Sequence, residues 1–323
     1  MKVSIIIPAY DAERTIEATL QSAIAAGEEV VGGYEVVVVD NNSSDGTSER
    51  VAHYGSTVGV PIKLIKCVKQ GASAARNFGT QHSSGEWLQY LDADDTIDRD
   101  KITRQIACSQ GADWVVGAYR NLYLDGSTED VLTHPDLWKG LAHGFRTGYT
   151  CSNLVRRNAI DRIGGWNESL PTNEDPELWF RLLKCKIPYA VDNVVRTYYY
   201  HHAGKRLSFS NPVASFERRV RMQEEIIEWL AIQLPEYYRR NRAYFIRSLI
   251  RTLRQQASYD LEAAAVNYRN YCPENFSIWQ GNPDPSLPVF TRLYPYLGFR
   301  NVEALRLLLA RVLPEGLKAR LKG

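Results

Sequence analysis

The chemistry that this sequence can perform is indicated most clearly by three carboxylates at the end of an apolar run. The stretch "WLQYLDADDTID", residues 87–98, contains Asp92, Asp94 and Asp95. Like charges this close repel one another unless a cation or another partner neutralises them. In extended backbone Asp92 and Asp94 share a face, and two carboxylates on one face suit Mg²⁺ or Mn²⁺, which also bind substrate phosphates. The alternative is a solvated acidic turn that caps the next helix.

The preceding segments predict that this stretch ends the fourth strand of a sheet. Strand-like apolar runs alternate with amphipathic helical segments. The runs are "VSIIIPAY" (3–10), "YEVVVVD" (34–40), "IKLIKCV" (62–68) and "EWLQYLD" (86–92). The expected fold class is therefore α/β, with a mostly parallel, Rossmann-like sheet and helices on both of its faces.

Polar residues mark the carboxyl ends of three of these strands. Segments 8–11, 40–45 and 92–95 all fall at such ends. Ligands of open parallel sheets bind outside the carboxyl ends of the strands, so we expect the three segments to meet at one crevice.

Composition narrows the classes of protein that need to be considered. The 323 residues are 44% apolar, which supports a real core, and the formal charge of +2 favours no nucleic-acid partner. Five scattered cysteines without a C-x-x-C pair indicate a reduced compartment and no structural zinc. No run reaches 18 apolar residues, so we expect a protein of the cytoplasm or of the cytoplasmic face of a membrane.

The chain changes character near residue 211. Apolar residues recur at helical spacing beyond that point, which predicts domains at 1–210 and 211–323, the second an all-helical extension. Its last segment, "NVEALRLLLARVLPEGLKARLKG" (301–323), has the pattern of a basic amphipathic helix. Such a helix lies on an anionic membrane surface, or it packs on the domain or on a second subunit of a homo-oligomer. Both interpretations stay open at this point.

Six segments, in order, resemble family 2 glycosyltransferases with the A-type nucleotide-diphospho-sugar transferase fold. They cover residues 3 to about 210 and are "VSIIIPAYDAERTIEATLQSAI", "VVVVDNNSSDGT", "GASAARNFG", "WLQYLDADD", "IGGWNESLPTNEDPELWFRLL" and "YYYHHAGKRLS". The resemblance implies metal-dependent, inverting transfer of a sugar from a nucleotide diphosphate donor, with uridine favoured, to a glycan or lipid-linked acceptor. It implies Mn²⁺ or Mg²⁺ as the cofactor, and domain 1–210 as the nucleotide-sugar-binding catalytic domain.

The resemblance also implies which residues bind the nucleotide. Pro8, Tyr10 and Asp40 match the positions that hold uracil and ribose, and Asp92 matches a ribose contact. A carboxylate suits uracil because the N3–H of the base is a donor. Arg76 matches an arginine near the nucleotide. The alternatives are a turn role for Asp40 and an ion pair between Arg76 and the acidic loop.

Metal ligation is implied for the later part of the D-x-D motif. The resemblance leaves Asp94 and Asp95 open, and we favour Asp94. His202 matches a histidine that approaches the metal or the diphosphate, although its neighbour His201 competes for that role. Imidazole is an acceptable ligand for Mn²⁺.

The acidic pair of "TNEDPELWFRLL" matches the position of the catalytic base. Inverting transfer requires one carboxylate that accepts the proton of the attacking hydroxyl, and Asp175 is our candidate. Glu174 is expected to orient the acceptor or to cap the helix. Trp166 fits a sugar-facing aromatic residue, or equally a buried loop anchor. In this mechanism the cation and Arg76 stabilise the departing diphosphate.

Two other functions fit parts of the sequence. "LDADDT" satisfies the D-x-D-x-T pattern of haloacid-dehalogenase-like phosphatases, although those enzymes carry it on their first strand and this chain has it on the fourth. A non-catalytic nucleotide-sugar-binding protein would also retain Asp40 and Asp94. The processive polysaccharide synthases of the family that the sequence resembles carry a Q-x-x-R-W stretch. This chain has none, so the resemblance implies transfer of one sugar per encounter.

Overall fold

The computed structural model of the chain describes residues 2–144, 146–202, 211–272 and 289–312. The chain divides into two compact units, Met1–Gly204 and Lys205–Gly323. The boundary that we expected at residue 210 adjoins segment 203–210, which lies outside the described residues.

The described part of the first unit contains eleven strands and seven helices. The strands are β1 (Val3–Ala9), β2 (Tyr34–Asp40), β3 (Ile62–Lys66), β4 (Trp87–Tyr90), β5 (Thr96–Ile97), β6 (Trp114–Gly117), β7 (Tyr119–Leu122), β8 (Thr128–Val131), β9 (Leu154–Arg156), β10 (Tyr189–Asp192) and β11 (Thr197–Tyr200). The helices are α1 (Ile16–Glu28), α2 (Thr47–Val58), α3 (Ala72–Gln81), α4 (Lys101–Ser109), α5 (Leu137–Ala142), α6 (Arg157–Arg162) and α7 (Glu174–Lys184).

Seven of these strands form the main sheet, in the order β10-β6-β9-β4-β1-β2-β3. All of its pairs are parallel except those of β9, which runs antiparallel to β4 and to β6. The expected α/β class with a mostly parallel sheet is confirmed. The antiparallel strand β9 was not predicted.

Helices cover both faces of this sheet. Alternate residues of β1 point to opposite sides, and the apolar residues on each side pack against helices. Ile5 and Ile7 share a buried apolar cluster with Leu20 of α1. On the other face α3 comes so close that a Cβ added to Gly79 would lie 2.5 Å from the Ile6 side chain. Only glycine permits this approach, which fixes α3 and the loop before it against the sheet.

A second sheet of four short strands, in the order β5-β11-β7-β8, was also not predicted. Its central strand β11 pairs antiparallel with β5 and parallel with β7. Tyr199 of β11 packs edge-on against Tyr149, with 4.6 Å between the ring centroids. The next residue, Tyr200, donates its backbone N–H to Asp95 at 3.1 Å. This sheet therefore contacts the acidic segment directly.

The described part of the second unit contains helices and short connections but no strand. Its helices are α8 (Pro212–Gln233), α9 (Pro235–Ala257), α10 (Leu261–Tyr271) and α11 (Tyr294–Val312), the last kinked at Gly298. Leu249 and Leu253 of α9 pack in one buried cluster with Phe299 and Val302 of α11. The expected helical extension is thus confirmed. Within the described residues, no helix combines the length and the apolar character that crossing a bilayer requires.

Candidate active site

The carboxyl ends of β1, β2 and β4 lie side by side. Ala9 pairs with Asp40 and Ile6 pairs with Tyr90 in the parallel ladders. The loops that follow these strands therefore leave the same edge of the sheet. The acidic segment 92–95 follows β4 at this edge.

Arg76 of α3 is the buried cation beside that segment. Its guanidinium donates to Asp92 Oδ1 at 2.8 Å and to Glu174 Oε1 at 3.3 Å, and it lies 4.6 Å above the ring of Trp166. Burial would lower the pKa of Arg76, but Asp92, Asp175 and Glu174 raise it well above its usual value. The structure thus places Arg76 in the ion pair that we considered as an alternative to nucleotide contact.

Asp92 is held from two sides. Its Oδ1 accepts from Arg76, and its Oδ2 accepts from the hydroxyl of Tyr149 at 2.7 Å. Burial, and after it the charge of Asp92, raises the pKa of Tyr149 well above its usual value, so the phenol remains a donor. The carboxylate therefore has a fixed orientation.

Asp95 points into the protein. It is fully buried, and its oxygens accept from the N–H of Tyr200 and from the thiol of Cys151 at 3.4 Å. Burial, and after it the charges of Asp94 and Asp92, raises the pKa of Asp95 well above its usual value. A direct metal contact from Asp95 would require a buried ion.

Ligand atoms of Asp92, Asp95 and Cys151 do lie within 4.8 Å of one another. Burial, followed by the charges of Asp92 and Asp95, raises the pKa of the Cys151 thiol well above its usual value. Mg²⁺ and Mn²⁺ prefer oxygen ligands, and a cysteine is a good metal ligand only when its thiol is deprotonated. The chemistry of this buried trio therefore suits a hard cation poorly.

Asp94 and His202 present a different donor set. Both side chains are about two-fifths exposed, at 43% and 42%, and His202 Nε2 lies 3.6 Å from Asp94 Oδ2. His201 instead hydrogen-bonds Asn121 Oδ1 at 3.1 Å and stacks on Tyr123. The structure separates the two histidines that the sequence left in competition. An exposed carboxylate oxygen with an imidazole nitrogen fits Mn²⁺ or Mg²⁺.

Asp175 lies in the first turn of α7, one residue after Glu174. Its Oδ1 accepts a hydrogen bond from the hydroxyl of Thr150. Burial raises the pKa of Asp175 to about 7, and Glu174 adds to this rise, whereas Arg76 and Thr150 oppose it. A carboxylate with this pKa is a strong enough base to accept a proton near neutral pH.

Three further predicted residues lie at or near the carboxyl ends of β1 and β2. Pro8 lies in β1 and is partly buried, while Tyr10, just after β1, is 54% exposed. Asp40 ends β2, and its oxygens accept from Ser43 N and Ser48 Oγ, both at 3.0 Å. Asp40 is only 5% exposed and thus performs the turn role considered as its alternative.

Trp166 is a buried anchor. Its side chain is 2% exposed, packs edge-on against Tyr90 and lies beneath Arg76. Its backbone N–H donates to Asn77 Oδ1 at 2.8 Å. A sugar cannot stack on a covered ring, so the predicted sugar contact is replaced by the alternative, a loop anchor.

Sequence reasoning missed Tyr149, Thr150 and Cys151. They occupy or adjoin the 3₁₀ turn Thr150–Ser152, directly before β9. Because Val155 of β9 pairs with Leu88 in antiparallel register, the residues before β9 lie beside the carboxyl end of β4. To locate these residues from the sequence, one would have to recognise β9 and its pairing with β4. A strand of three residues is too short for that.

Comparison with known proteins assigns the chain to a family. Residues 4–167 match the model described as glycosyl transferase family 2. The chain belongs to glycosyltransferase family 2. It is therefore a glycosyltransferase, and the phosphatase alternative for "LDADDT" is wrong: in this fold the motif follows β4 rather than the first strand.

Among its relatives is the Escherichia coli protein named UDP-Glc:alpha-D-GlcNAc-diphosphoundecaprenol beta-1,3-glucosyltransferase WfaP. It is 31% identical over 207 residues, which cover 62% of this chain and 78% of WfaP.

Two solved structures share the A-type glycosyltransferase fold. S. aureus TarS 1–349 in complex with UDP-GlcNAc matches with a TM-score of 0.60 and 16% identity, over 94% of this chain and 91% of the TarS 1–349 chain. The mannosyltransferase PcManGT from Pyrobaculum calidifontis, in complex with GDP-Man and Mn²⁺, matches with a TM-score of 0.54 and 18% identity, over 95% of this chain and 86% of PcManGT. At these identities the likeness concerns the fold.

Proposed function

We propose that this glycosyltransferase transfers a sugar, with inversion, from a UDP-sugar to a lipid-linked glycan in the presence of Mn²⁺ or Mg²⁺. The observation that carries the proposal is the contrast between two carboxylates of one site. Asp94 is exposed beside a histidine, whereas Asp175 is partly buried at a helix N-terminus with a pKa raised to about 7. The first suits a cation and the second suits a base.

The donor side of the site is formed by Asp94, His202 and the loops after β1 and β2. Asp94 and His202 would hold the divalent ion, which when bound neutralises charge on the diphosphate. Exposed Tyr10 offers a ring to a base. Asp40 is 5% exposed and already accepts from Ser43 and Ser48, so a donor such as uracil N3–H would use a remaining lone pair of its carboxylate. Arg76 adds positive charge to this side through its contact with Asp92.

The acceptor side is formed by the first turn of α7. Asp175 in its charged form would take the proton of the acceptor hydroxyl as that oxygen attacks the anomeric carbon. Glu174 Oε1 lies 3.3 Å from Arg76 Nη1. The residue next to the proposed base therefore contacts the buried cation of the site. A single displacement of this kind inverts the anomeric configuration.

The substrate classes are supported by the comparisons. WfaP is named for a UDP-glucose donor and an acceptor linked to diphosphoundecaprenol, and the TarS structure contains UDP-GlcNAc. PcManGT was solved with GDP-Man, so guanosine is the competing nucleotide. We place the acceptor on a lipid carrier by analogy with WfaP.

A lipid-linked acceptor requires access to a membrane surface, for which α11 offers an apolar stripe. Leu305, Leu308 and Val312 are 39%, 57% and 70% exposed. They lie on the side of α11 opposite Phe299 and Val302, which pack into the helical unit. The basic residues Lys318, Arg320 and Lys322 of the expected membrane segment lie outside the described residues. From the exposed apolar stripe and the basic sequence that follows it, we propose that α11 docks on anionic lipid.

A thermal-shift panel tests the donor assignment. The protein is heated with UDP, GDP, UDP-glucose, UDP-GlcNAc or GDP-mannose, each with and without Mn²⁺, because a ligand that binds the native state raises Tm by mass action. We expect uridine nucleotides to raise Tm most, and only with the metal. A larger shift with guanosine nucleotides reassigns the donor, and no shift with any member rejects the proposal. Sugar transfer from the bound donor then tests whether that nucleotide sugar is the substrate.

A further inference from the structure

Three consecutive residues hydrogen-bond three different carboxylates of the site. Each donates through its side chain. Two of the acceptors belong to the acidic segment 92–95, and the third lies in the first turn of α7. The pairs are Tyr149 Oη to Asp92 Oδ2 at 2.7 Å, Thr150 Oγ1 to Asp175 Oδ1, and Cys151 Sγ to Asp95 Oδ2 at 3.4 Å. We call residues 149–151 the carboxylate-binding turn. It spans the donor side and the acceptor side.

This turn is itself rigidly held. The Ser152 hydroxyl accepts from Tyr149 N and donates to Tyr149 O, both at 2.9 Å. The Asn153 amide donates to Tyr149 O at 2.7 Å, and its oxygen accepts from Trp114 Nε1 at 2.8 Å. Gly148 precedes the turn with φ +72°, where an added Cβ would lie 2.6 Å from the Asn153 amide. The backbone therefore fixes where the three donors point.

We infer that Thr150 is the positioning residue of the proposed base: its hydroxyl fixes the Asp175 carboxylate and favours the charged form of that group. This inference rests on the proposed function, which assigns the base to Asp175. Tyr149 has the matching role for Asp92 on the donor side. Because both residues belong to one turn, the distance between donor side and base is set by a single short backbone segment.

The other groups around Asp175 are charged or weak acids, which distinguishes Thr150 from them. Arg76 favours the carboxylate, whereas Glu174 and Asp92 disfavour it, and burial opposes the charge most strongly. Tyr119 also lies within electrostatic range. Thr150 is uncharged and donates directly to Asp175, so its hydroxyl can be removed without altering the charge of the site.

The test compares Thr150→Val, which keeps the shape and removes the hydroxyl, with Thr150→Ser, which keeps the hydroxyl. The Asp175 carboxyl is titrated by ¹³C NMR in the full-length protein and assigned with Asp175→Asn. Loss of a hydrogen bond to a carboxylate should move its titration upward by about one pH unit in Thr150→Val. Thr150→Ser should titrate as wild type does. This measurement requires no substrate.

Tyr149→Phe is the matched control at the neighbouring position. It removes a hydroxyl from the same turn but one that serves Asp92, so the titration of Asp175 should stay in place. Equal Tm values for the three variants would show that the turn is intact. The inference is overturned if Thr150→Val titrates as wild type does, or if Tyr149→Phe moves the titration as far as Thr150→Val.

Activity measurements separate this inference from the proposed function. With a donor selected by the thermal-shift panel, the acid limb of the rate of UDP or GDP release should move upward in Thr150→Val by the same amount as the titration. If Asp175→Asn retains full activity, the proposed base is wrong, and the NMR titration still decides whether Thr150 positions that carboxylate. The two failures are therefore distinguishable.

Discussion

His202 Nε2 lies 3.6 Å from Asp94 Oδ2, across the junction between the main sheet and the small sheet. Asp94 follows β4 and His202 follows β11, so the pair exists only because β11 pairs with β5, directly after the acidic segment. Tyr200 secures the same junction through its hydrogen bond to Asp95. The small sheet thus brings a nitrogen ligand to an oxygen ligand at an exposed position.

The first prediction concerns metal affinity. Asp94→Asn or His202→Asn should weaken Mn²⁺ binding in the presence of donor nucleotide by about 10- to 100-fold, because each removes one of few protein ligands. Isothermal titration calorimetry measures this directly. His201→Asn is the control, since His201 bonds Asn121 instead. Equal losses in all three variants would contradict the assignment of His202.

The second prediction concerns the pH dependence of catalysis. Asp175 must be charged to accept a proton, and its pKa is raised to about 7, so kcat should rise with pH through about 7 and then level. Asp175→Asn should lower kcat by roughly 10²- to 10⁴-fold, the usual contribution of a general base. Donor affinity should remain unchanged in this variant. A kcat that is flat between pH 5 and 8, outside the range where the protein unfolds, would contradict the assignment.

The same carboxyl should make stability fall with rising pH, whereas it makes kcat rise. Its folded pKa is raised above the usual value near 3.8, so the folded state binds more protons between about pH 4 and 7. The contribution of Asp175 to the free energy of unfolding therefore falls as pH rises through this window. At pH 8 Asp175→Asn should have a higher Tm than wild type, and the difference should shrink toward pH 4. Differential scanning fluorimetry across pH measures this trend.

The sequence predicted four of the seven strands of the main sheet, because β1 to β4 lie in apolar runs with clear breaks. The position of Asp92, Asp94 and Asp95 at a strand end followed from this pattern. Which of the three is exposed could not be predicted, because it depends on β11, a short strand distant in the chain. The carboxylate-binding turn was missed for the same reason, since β9 has three residues and pairs against the direction of its neighbours.

The third prediction concerns Arg76 as the buried centre of the site. Arg76→Ala leaves Asp92 and Glu174 without their cation in a water-poor environment, so it should lower the free energy of unfolding by about 3–5 kcal/mol. Arg50→Ala is the matched control. Its ion pairs with Glu13 and Glu17 are exposed and should contribute less than about 1 kcal/mol. Urea denaturation followed by tryptophan fluorescence measures both; similar losses would contradict the central role of Arg76.

The fourth prediction concerns the core of the helical unit. Glu303 of α11 is fully buried and accepts from Arg254 Nε at 3.1 Å, from the Tyr294 hydroxyl at 2.6 Å and from Arg306. Glu303→Ala removes the buried carboxylate that accepts from both Arg254 and Arg306, and it should destabilise this unit by about 3–5 kcal/mol. Glu262→Ala removes an exposed partner of Arg300 and serves as the control. Hydrogen exchange of α9 and α11 amides localises the effect.

The fifth prediction concerns the apolar stripe of α11. Changing Leu305, Leu308 and Val312 together to serine should reduce binding to vesicles of phosphatidylglycerol and phosphatidylcholine by at least about tenfold. The three side chains are exposed, and even partial transfer of such groups from water exceeds 1.4 kcal/mol, the equivalent of a factor of ten. Co-sedimentation with vesicles measures the binding.

The control for this experiment changes exposed apolar residues elsewhere in the helical unit. Ile232 of α8 and Val266 of α10 are 73% and 43% exposed, and their replacement by serine should leave vesicle binding intact. If the stripe joins two copies of the chain instead, the triple variant changes the mass measured by light scattering and not the sedimentation with lipid. Because basic side chains attract anionic headgroups, wild-type binding should also weaken when phosphatidylglycerol is omitted or when salt is raised. Binding that ignores both lipid charge and the stripe would contradict α11 as the membrane-docking surface.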